Sequence, residues 1–375
     1  MNLFDLTILD FIDQPVILFD KYGEIEFVNK TAKIHFGLNE PGLIDVVLKE
    51  NKKKISVIRR AYQMINTNEM AKSFTFETNI KNYGNAEYII RWKVLKTNGD
   101  KLIAFGQDIT DLVRLQKSLE ERQREIIESI EYAKELQTAI LPDNDLFEKY
   151  FQEYFIYFKP KDILSGDFYW IHETKESLFV AMVDCTGHGV PGSLMTVLAN
   201  GILREVIVRR GIEDPVEILR QIDDELVYAL SKKRFNKVYK DGMDLALLKL
   251  NKTSPKLDFA GAGRPIVKVD IEGNLYEYKS SRLSLGYYYG IEKNFNSQTV
   301  DIEKGDTIYL FSDGYCDQFG GQSDKKFTKA KFKELLKSMA GMPLDEQQKY
   351  LDYVLNNWKQ STFQTDDVLV IGLKF

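Results

Sequence analysis

Four aspartates stand where apolar runs meet polar ones. Asp167 opens "DFYWI", Asp184 closes "LFVAMVD", Asp313 closes "TIYLFSD" and Asp366, followed by Asp367, opens "DDVLVIGLKF". One carboxylate at a strand end is ordinary turn chemistry. Several carboxylates gathered at one sheet edge repel one another unless a cation neutralises them. The donors are hard oxygens, and only 3 His occur in 375 residues, so zinc is disfavoured and Mg²⁺ or Mn²⁺ favoured. Two such ions about 4 Å apart could activate a bridging water and clamp a phosphoryl group for in-line attack. That chemistry is a phosphatase or a phosphodiesterase.

Two rival chemistries meet obstacles in the same residues. The stretch "VDCTGHGVPGSLMTVL" sets Gly187, Gly189 and Gly192 at the spacing of a dinucleotide-binding loop, between an apolar run (178–183) and a helix-like run (193–208). Yet Asp184 closes the strand where a pyrophosphate would approach bare backbone, and more helix follows instead of a second strand ending in an acid. A cysteine phosphatase needs an arginine six residues after its nucleophile, so that thiolate and guanidinium share one phosphate. Pro191 stands there after Cys185 and Gln322 after Cys316.

The elements that must position the acids can be read from the flanking pattern. Two strand-like runs surround a polar turn in "SGDFYWIHETKESLFVAMVDC"; pairing them as a hairpin about Lys175 sets Asp167 opposite Asp184. For all four sites to meet, strands ending in Asp184 and Asp313 run toward one point, while strands starting at Asp167 and Asp366 run away from it. Antiparallel packing satisfies both conditions.

Composition narrows the class. The chain is 44% hydrophobic and 29% charged, enough for ordinary cores, and its length predicts two or more domains. A net charge of −5 gives no general attraction to nucleic acid or anionic membrane. The basic stretches "KKKISVIRR" and "SKKRFNKVYK" read as solvated faces, the second also as a loop that could steer an acidic phosphoprotein. The first 20 residues hold four Asp and no Lys or Arg, which argues against a secretory signal, and no apolar run is long enough to cross a bilayer. A soluble, cytoplasmic protein is expected, with no disulfide framework from Cys185 and Cys316.

Residues 1–110 mix short strands and helices: "PVILFD", a turn at "KYGE", "IEFV", then "SFTFETNI", "AEYIIRWKVL" and "KLIAFGQDI", the last two joined by an Asn98-Gly99 hairpin. The opening "VILFDKYGEIEFVNKTAKIHFG" and the exit "GQDITD" resemble a PAS sensor domain, which implies a signal or ligand that the sequence does not name. Residues 111–141 differ. Positions 112, 115, 119, 122, 126, 129, 133, 136 and 140 read Leu, Leu, Leu, Arg, Ile, Ser, Ala, Leu and Ile, an apolar seam on a charged helix that Pro142 ends. This predicts a parallel two-chain coiled coil, hence a homodimer, or a single helix lying on a domain.

From residue 133 onward the chain resembles a known family. "KPKDILSGDFYW", "VDCTGHGVPGSLMT", "DGMDLALL", "GAGRP", "LFSDGYCDQFGG" and "TDDVLVIGLKF" follow the order and spacing of the metal-dependent (PPM-type) protein serine/threonine phosphatases, in their SpoIIE-like branch. "AKELQTAILP" is similar to that branch's lead-in. The resemblance implies an α+β fold: an antiparallel β-sandwich flanked by helices over residues 142–375, joined by a coiled-coil helix (111–141) to the PAS-like α/β sensor (1–110). It implies two divalent ions, Mn²⁺ or Mg²⁺. Asp184 would bridge both, the Cys185 backbone carbonyl would complete the second, Asp313 and Asp366 would hold the first, and Asp167 would act in the outer shell through water, with Asp367 in support. The implied substrate is phosphoserine or phosphothreonine on a regulatory protein, of the anti-anti-sigma type by family analogy. The alternative is a non-catalytic module that binds a phosphoprotein through a degenerate phosphatase domain. The arginine that grips substrate phosphate in eukaryotic relatives has no counterpart near "SGDFYW". Where those relatives have a histidine proposed as general acid stands Thr186, and His188, two residues on, reads as structural.

Overall fold

The computed structural model describes residues 6–19, 25–36, 73–81, 86–97, 101–142, 144–231, 241–252, 256–286 and 293–375. The "KYGE" turn, the Asn98-Gly99 hairpin tip, the "KKKISVIRR" stretch and nearly all of "SKKRFNKVYK" lie outside these residues. The chain forms two compact units, Met1–Ile126 and Ile127–Phe375.

In the first unit a short 3-10 turn (Thr7–Phe11) precedes β1 (Val16–Phe19), β2 (Ile25–Val28) and helix α1 (Lys30–Phe36); β3 (Ser73–Lys81), β4 (Glu87–Lys96) and β5 (Leu102–Asp108) follow. They form one antiparallel sheet in the order β2-β1-β5-β4-β3. Asn29 is fully buried because its side chain has backbone partners on both sides. Its oxygen accepts from the N–H groups of Val16 and Ala32, and its amide donates to the carbonyls of Leu9 and Gln14. A buried amide satisfied in this way fixes where β1 and α1 begin. The next helix, α2 (Thr110–Ile140), ends just before Pro142 as the sequence predicts, and Leu112, Leu115, Leu119, Ile126 and Leu136 on it are all exposed.

The second unit continues from α2 with α3 (Asp145–Tyr150), β6 (Glu153–Lys159), β7 (Asp167–Glu173), β8 (Ser177–Cys185), α4 (Gly189–Leu203), a π turn (Arg204–Arg209), α5 (Pro215–Ser231), β9 (Met243–Asn251), β10 (Lys256–Ala262), β11 (Ile266–Val269), β12 (Leu275–Tyr278), β13 (Ser297–Asp301) and β14 (Thr307–Phe311). It closes with a short α6 (Gly314–Asp317), the two-residue strands β15 (Phe319–Gly320) and β16 (Lys325–Lys326), α7 (Lys329–Ser338), α8 (Leu344–Lys359) and β17 (Val368–Lys374). Two five-stranded antiparallel sheets, β13-β10-β9-β8-β7 and β12-β11-β14-β17-β6, form the sandwich.

The near-continuous apolar runs of β8 and β17 follow from burial of both faces. Strand residues alternate sides. Val180 and Met182 of β8 meet Leu369, Ile371 and Leu373 of β17 in the core between the sheets. Phe179, Ala181 and Val183 turn instead toward α4 and α5, and Val368 and Val370 toward α7 and α8. A strand held on both faces cannot slip register without exposing one of its two apolar rows.

The expected hairpin is present: β7 pairs with β8 so that Asp167 lies opposite Asp184. Helix α4 starts at Gly189, four residues earlier than the apolar run at 193 suggests. Pro191 permits this, because the first helical N–H groups have no intrahelical partner to lose. The glycines serve close backbone approach. Gly187 adopts φ +90°, and a Cβ on Gly192 would stand 2.4 Å from the Gly187 carbonyl oxygen and 3.0 Å from the Gly166 Cα. Both obstacles are backbone, so neither can rotate away. Gly192→Ala should therefore destabilise the second unit by about 1–3 kcal/mol, measured as a lower urea midpoint with unchanged slope.

Candidate active site

At one end of the sandwich a cleft of about 320 Å³ is lined by Asp184, Asp244, Asp313, Asp366 and Arg264, with Cys185, Thr186 and His188 at its wall. The acids arrive from both sheets. Asp184 is the second-last residue of β8 and pairs with Asp244 at the start of β9. Asp313 lies between β14 and α6, while Asp366 and Asp367 immediately precede β17. The expectation of one shared sheet edge is thus corrected to matching ends of two facing sheets, since β8 and β14 lie in different sheets. Asp167 is buried and does not line this cleft.

Asp367 is buried and organises the rim. One carboxylate oxygen accepts from the Lys161 N–H and the other from the Gly166 N–H, each at 2.7 Å. It thereby ties the loop before β17 to the loop before β7. His188 has both ring nitrogens engaged, Nδ1 2.7 Å from Asp162 Oδ2 and Nε2 2.9 Å from Lys161 Nζ, which suits the structural reading.

Sequence reasoning did not single out Asp244 or Arg264. The "GAGRP" segment carries the chain from β10 in one sheet to β11 in the other, and Gly263, at φ +75°, permits the crossing. A Cβ there would stand 2.1 Å from Asp244 Oδ1. Arg264 is consequently placed among the acids: Nη2 lies 2.6 Å from Asp184 Oδ2 and 2.7 Å from Asp313 Oδ2, and Nε lies 3.2 Å from Asp244 Oδ2. Only the Asp313 contact has hydrogen-bond geometry. Asp184 Oδ2, Asp244 Oδ1, Asp167 Oδ2 and Arg264 Nε are buried without a hydrogen-bond partner. The signal for both residues was present in the motifs "DGMD" and "GAGRP", but their meeting depends on the crossing between sheets.

Electrostatics reflect the crowding. Burial, reinforced by Asp313, Asp244 and Asp366 against the opposing pull of Arg264, pushes the Asp184 carboxyl up to about 7. Burial and the Asp184 charge hold Asp167 well above the carboxylate range. Burial also raises Asp366, with Asp313 adding to it. Burial opposes charge on Arg264, yet Asp184, Asp313 and Asp244 outweigh it and hold the guanidinium firmly protonated. Both thiols go the wrong way for a nucleophile: burial raises Cys185 well above the thiol range and Cys316 to about 12.

Unpartnered carboxylate oxygens around one cleft form a hard donor set with spare capacity, which fits Mg²⁺ or Mn²⁺. Among the described residues, no group of three or more His, Cys, Asp or Glu side chains is gathered closely enough to hold an ion as it stands, and Arg264 lies between them.

The family model described as Stage II sporulation protein E (SpoIIE) matches residues 174–375. Phosphoserine phosphatase RsbU of Bacillus subtilis (strain 168) is 26% identical over 167 residues, 41% of this chain and 44% of RsbU, so the match spans less than half of that relative. The solved SiaA-PP2C domain of Pseudomonas aeruginosa is 32% identical, with a TM-score of 0.62 over 68% of this chain and 98% of that domain.

The raised carboxyls fix the sign of a pH dependence. Folded Asp184 keeps a proton up to about pH 7 that the unfolded chain releases near pH 4, and Asp167 and Asp366 shift the same way. The stability that these three carboxyls contribute is therefore lost as pH rises through this window. Thermal melts of chelator-treated protein should show the midpoint falling between about pH 4 and pH 8. Asp184→Asn should flatten that slope; an equally steep slope in the variant would contradict the assignment.

Proposed function

The chain belongs to the SpoIIE family, and on that premise we propose that it is a signal-regulated, metal-dependent protein serine/threonine phosphatase that hydrolyses phosphoserine or phosphothreonine on a regulatory protein. The observation that carries this reading is the meeting of Asp184, Asp244, Asp313 and Asp366 at one cleft with buried carboxylate oxygens left unpartnered. Four carboxylates around the single guanidinium of Arg264 leave an excess of acids that costs stability unless further cations compensate it, which favours catalysis over a degenerate binding module.

Asp184, Asp313, Asp366 and the Cys185 carbonyl would hold two divalent ions, Mn²⁺ or Mg²⁺, with Asp244 beside Asp184 as a further donor and Asp167 behind. Ions bound there supply Lewis acidity and an activated water for attack on phosphorus. The rest of the reaction falls to the chain. Asp184, central among the acids, sets the spacing of the donors. Asp367 holds the loops before β7 and β17 in place through its two backbone hydrogen bonds. The buried thiol of Cys185 takes no part. RsbU is named a phosphoserine phosphatase, which supports a phosphoprotein substrate; we assign a partner of the anti-anti-sigma type.

In this reading residues 1–110 are a PAS-like sensor and residues 111–141 the transmitter, with residues 142–375 as the phosphatase. The strand order β2-β1-β5-β4-β3 supports a sensor, and the exposed leucines of α2 support pairing with a second copy. Near the end of α2, buried Gln137 donates to the Ser165 carbonyl and the Thr196 hydroxyl and accepts from the Ser165 N–H. Ser165 lies two residues before Asp167, so movement of the helix has a route to the site. A cytoplasmic location belongs to this reading, and among the described residues no helix is long and apolar enough to cross a membrane.

Activity on a phosphopeptide should vanish with chelator and return with Mn²⁺ or Mg²⁺. Asp184→Asn should cost more than the roughly 10–100-fold loss typical of an outer-shell change, while Cys185→Ser retains turnover. Robust hydrolysis by folded Asp184→Asn would overturn the assignment. Sedimentation should show a dimer at micromolar concentration that Leu119→Glu converts to monomer, and Arg122→Leu, which removes one of the seam's two polar interruptions, should make turnover insensitive to the signal.

A further inference from the structure

Arg264 is placed where no ordinary structural arginine would be. Its side chain is nearly buried at the base of an open cleft, and it approaches Asp184, Asp244 and Asp313 with one charge. Among the described residues lining the cleft it is the only Lys or Arg. Its Nε has no hydrogen-bond partner, and neither has Asp184 Oδ2, which its Nη2 approaches, so the guanidinium compensates charge here without settling into a saturated fork. A well-built structural Arg-carboxylate pair would be bidentate. The residues that position it, Gly261 and Gly263, are crowded against other groups: a Cβ on Gly261 would stand 2.6 Å from the Arg264 carbonyl oxygen. The Arg264 backbone is thus held firmly while its side chain has polar atoms to spare.

The acids that Arg264 touches are those a divalent ion requires. An ion at Asp184 and Asp313 and a guanidinium at the same oxygens exclude each other, because each carboxylate has a limited set of lone pairs facing the cleft. A guanidinium released from the acids stays anchored at the cleft by its short tether to the sheet crossing. Its planar fork matches a phosphoryl group. No other arginine serves that purpose near "SGDFYW".

Resting on the metal-dependent reading above, we propose that Arg264 is a resident counter-cation that divalent ions displace from Asp184 and Asp313, and that the displaced guanidinium then binds the phosphoryl group of the substrate. The side chain has two positions: on the acids before loading, and on phosphate afterwards. Metal loading and creation of the phosphate subsite are therefore one event.

The experiment follows the side-chain Nε–H resonance of Arg264 in ¹⁵N-arginine-labelled protein, assigned by its loss in Arg264→Gln. Saturating Mg²⁺ should shift it, and inorganic phosphate added to the Mg²⁺-loaded protein should shift it again. Calorimetry should show inorganic phosphate binding to the Mg²⁺-loaded protein about tenfold or more weakly in Arg264→Gln, the equivalent of one lost charge-assisted hydrogen bond. Arg264→Lys should also weaken it, since a point charge lacks the fork. Circular dichroism checks that both variants fold, and Arg264→Lys keeps the charge if the glutamine variant does not. A resonance unmoved by saturating Mg²⁺, or equal phosphate affinity in wild type and a folded variant, overturns the two-position role while leaving metal dependence intact. Absence of any Mg²⁺ or Mn²⁺ binding heat in the wild type overturns the metal reading and the exchange with it.

Discussion

Mutual repulsion among carboxylates gathered at the end of a sandwich is the constraint on which the rest of the second unit depends. Asp184 and Asp244 are adjacent across one sheet, Asp313 and Asp366 come from the other, and one guanidinium stands among them. Burial first, and then like charges at such range, favour the neutral carboxyl, and together they raise Asp184 against the pull of Arg264. A fold that tolerates this must fix the strand ends by forces elsewhere. Here the two sheets are covered on both faces, with one core between them and another under each helical layer. The hydrophobic effect across these three interfaces holds the acids together against their own repulsion.

Close approach of backbone supplies the second condition. Gly166, Gly187 and Gly192 pack carbonyl to Cα, and Gly314 lies so near Asp367 that a Cβ would stand 1.9 Å from its carbonyl oxygen. These contacts set the loop before β7 against the loop after β8, and the loop after β14 against the one before β17. Asp367 then closes the arrangement through two backbone N–H groups. Asp367 is thus fixed by two backbone donors at the rim while Asp366 lines the cleft, so two adjacent aspartates have different surroundings and different work.

The long helix α2 shows how one element can serve two ends. Over most of its length its apolar residues face solvent, and its early charged pairs, such as Lys117 with Glu121, are exposed and contribute little. Near its C-terminus Gln137 is buried and saturated. The helix is therefore weakly specified over its exposed length and strongly specified beside the loop that leads into Asp167.

Much was legible in the sequence because it is local. The hairpin about Lys175 follows from two apolar runs and a polar turn, and it set Asp167 opposite Asp184 correctly. The end of α2 follows from Pro142, which cannot continue a helix. The motifs from "SGDFYW" to "TDDVLVIGLKF" named the family and four of the acids. What stayed hidden depends on how distant elements cross. Strand alternation shows that β8 and β14 are buried but not that they belong to different sheets, so the acids read as one edge when they are two ends facing each other. Asp244 was one acid of a quoted motif until β9 paired beside β8. Arg264 lay in a Gly-rich turn with no apolar period to orient it. Only the passage of the chain from β10 to β11, between the two sheets, sets its guanidinium among three carboxylates, because charge proximity is a property of the folded chain and not of spacing along it.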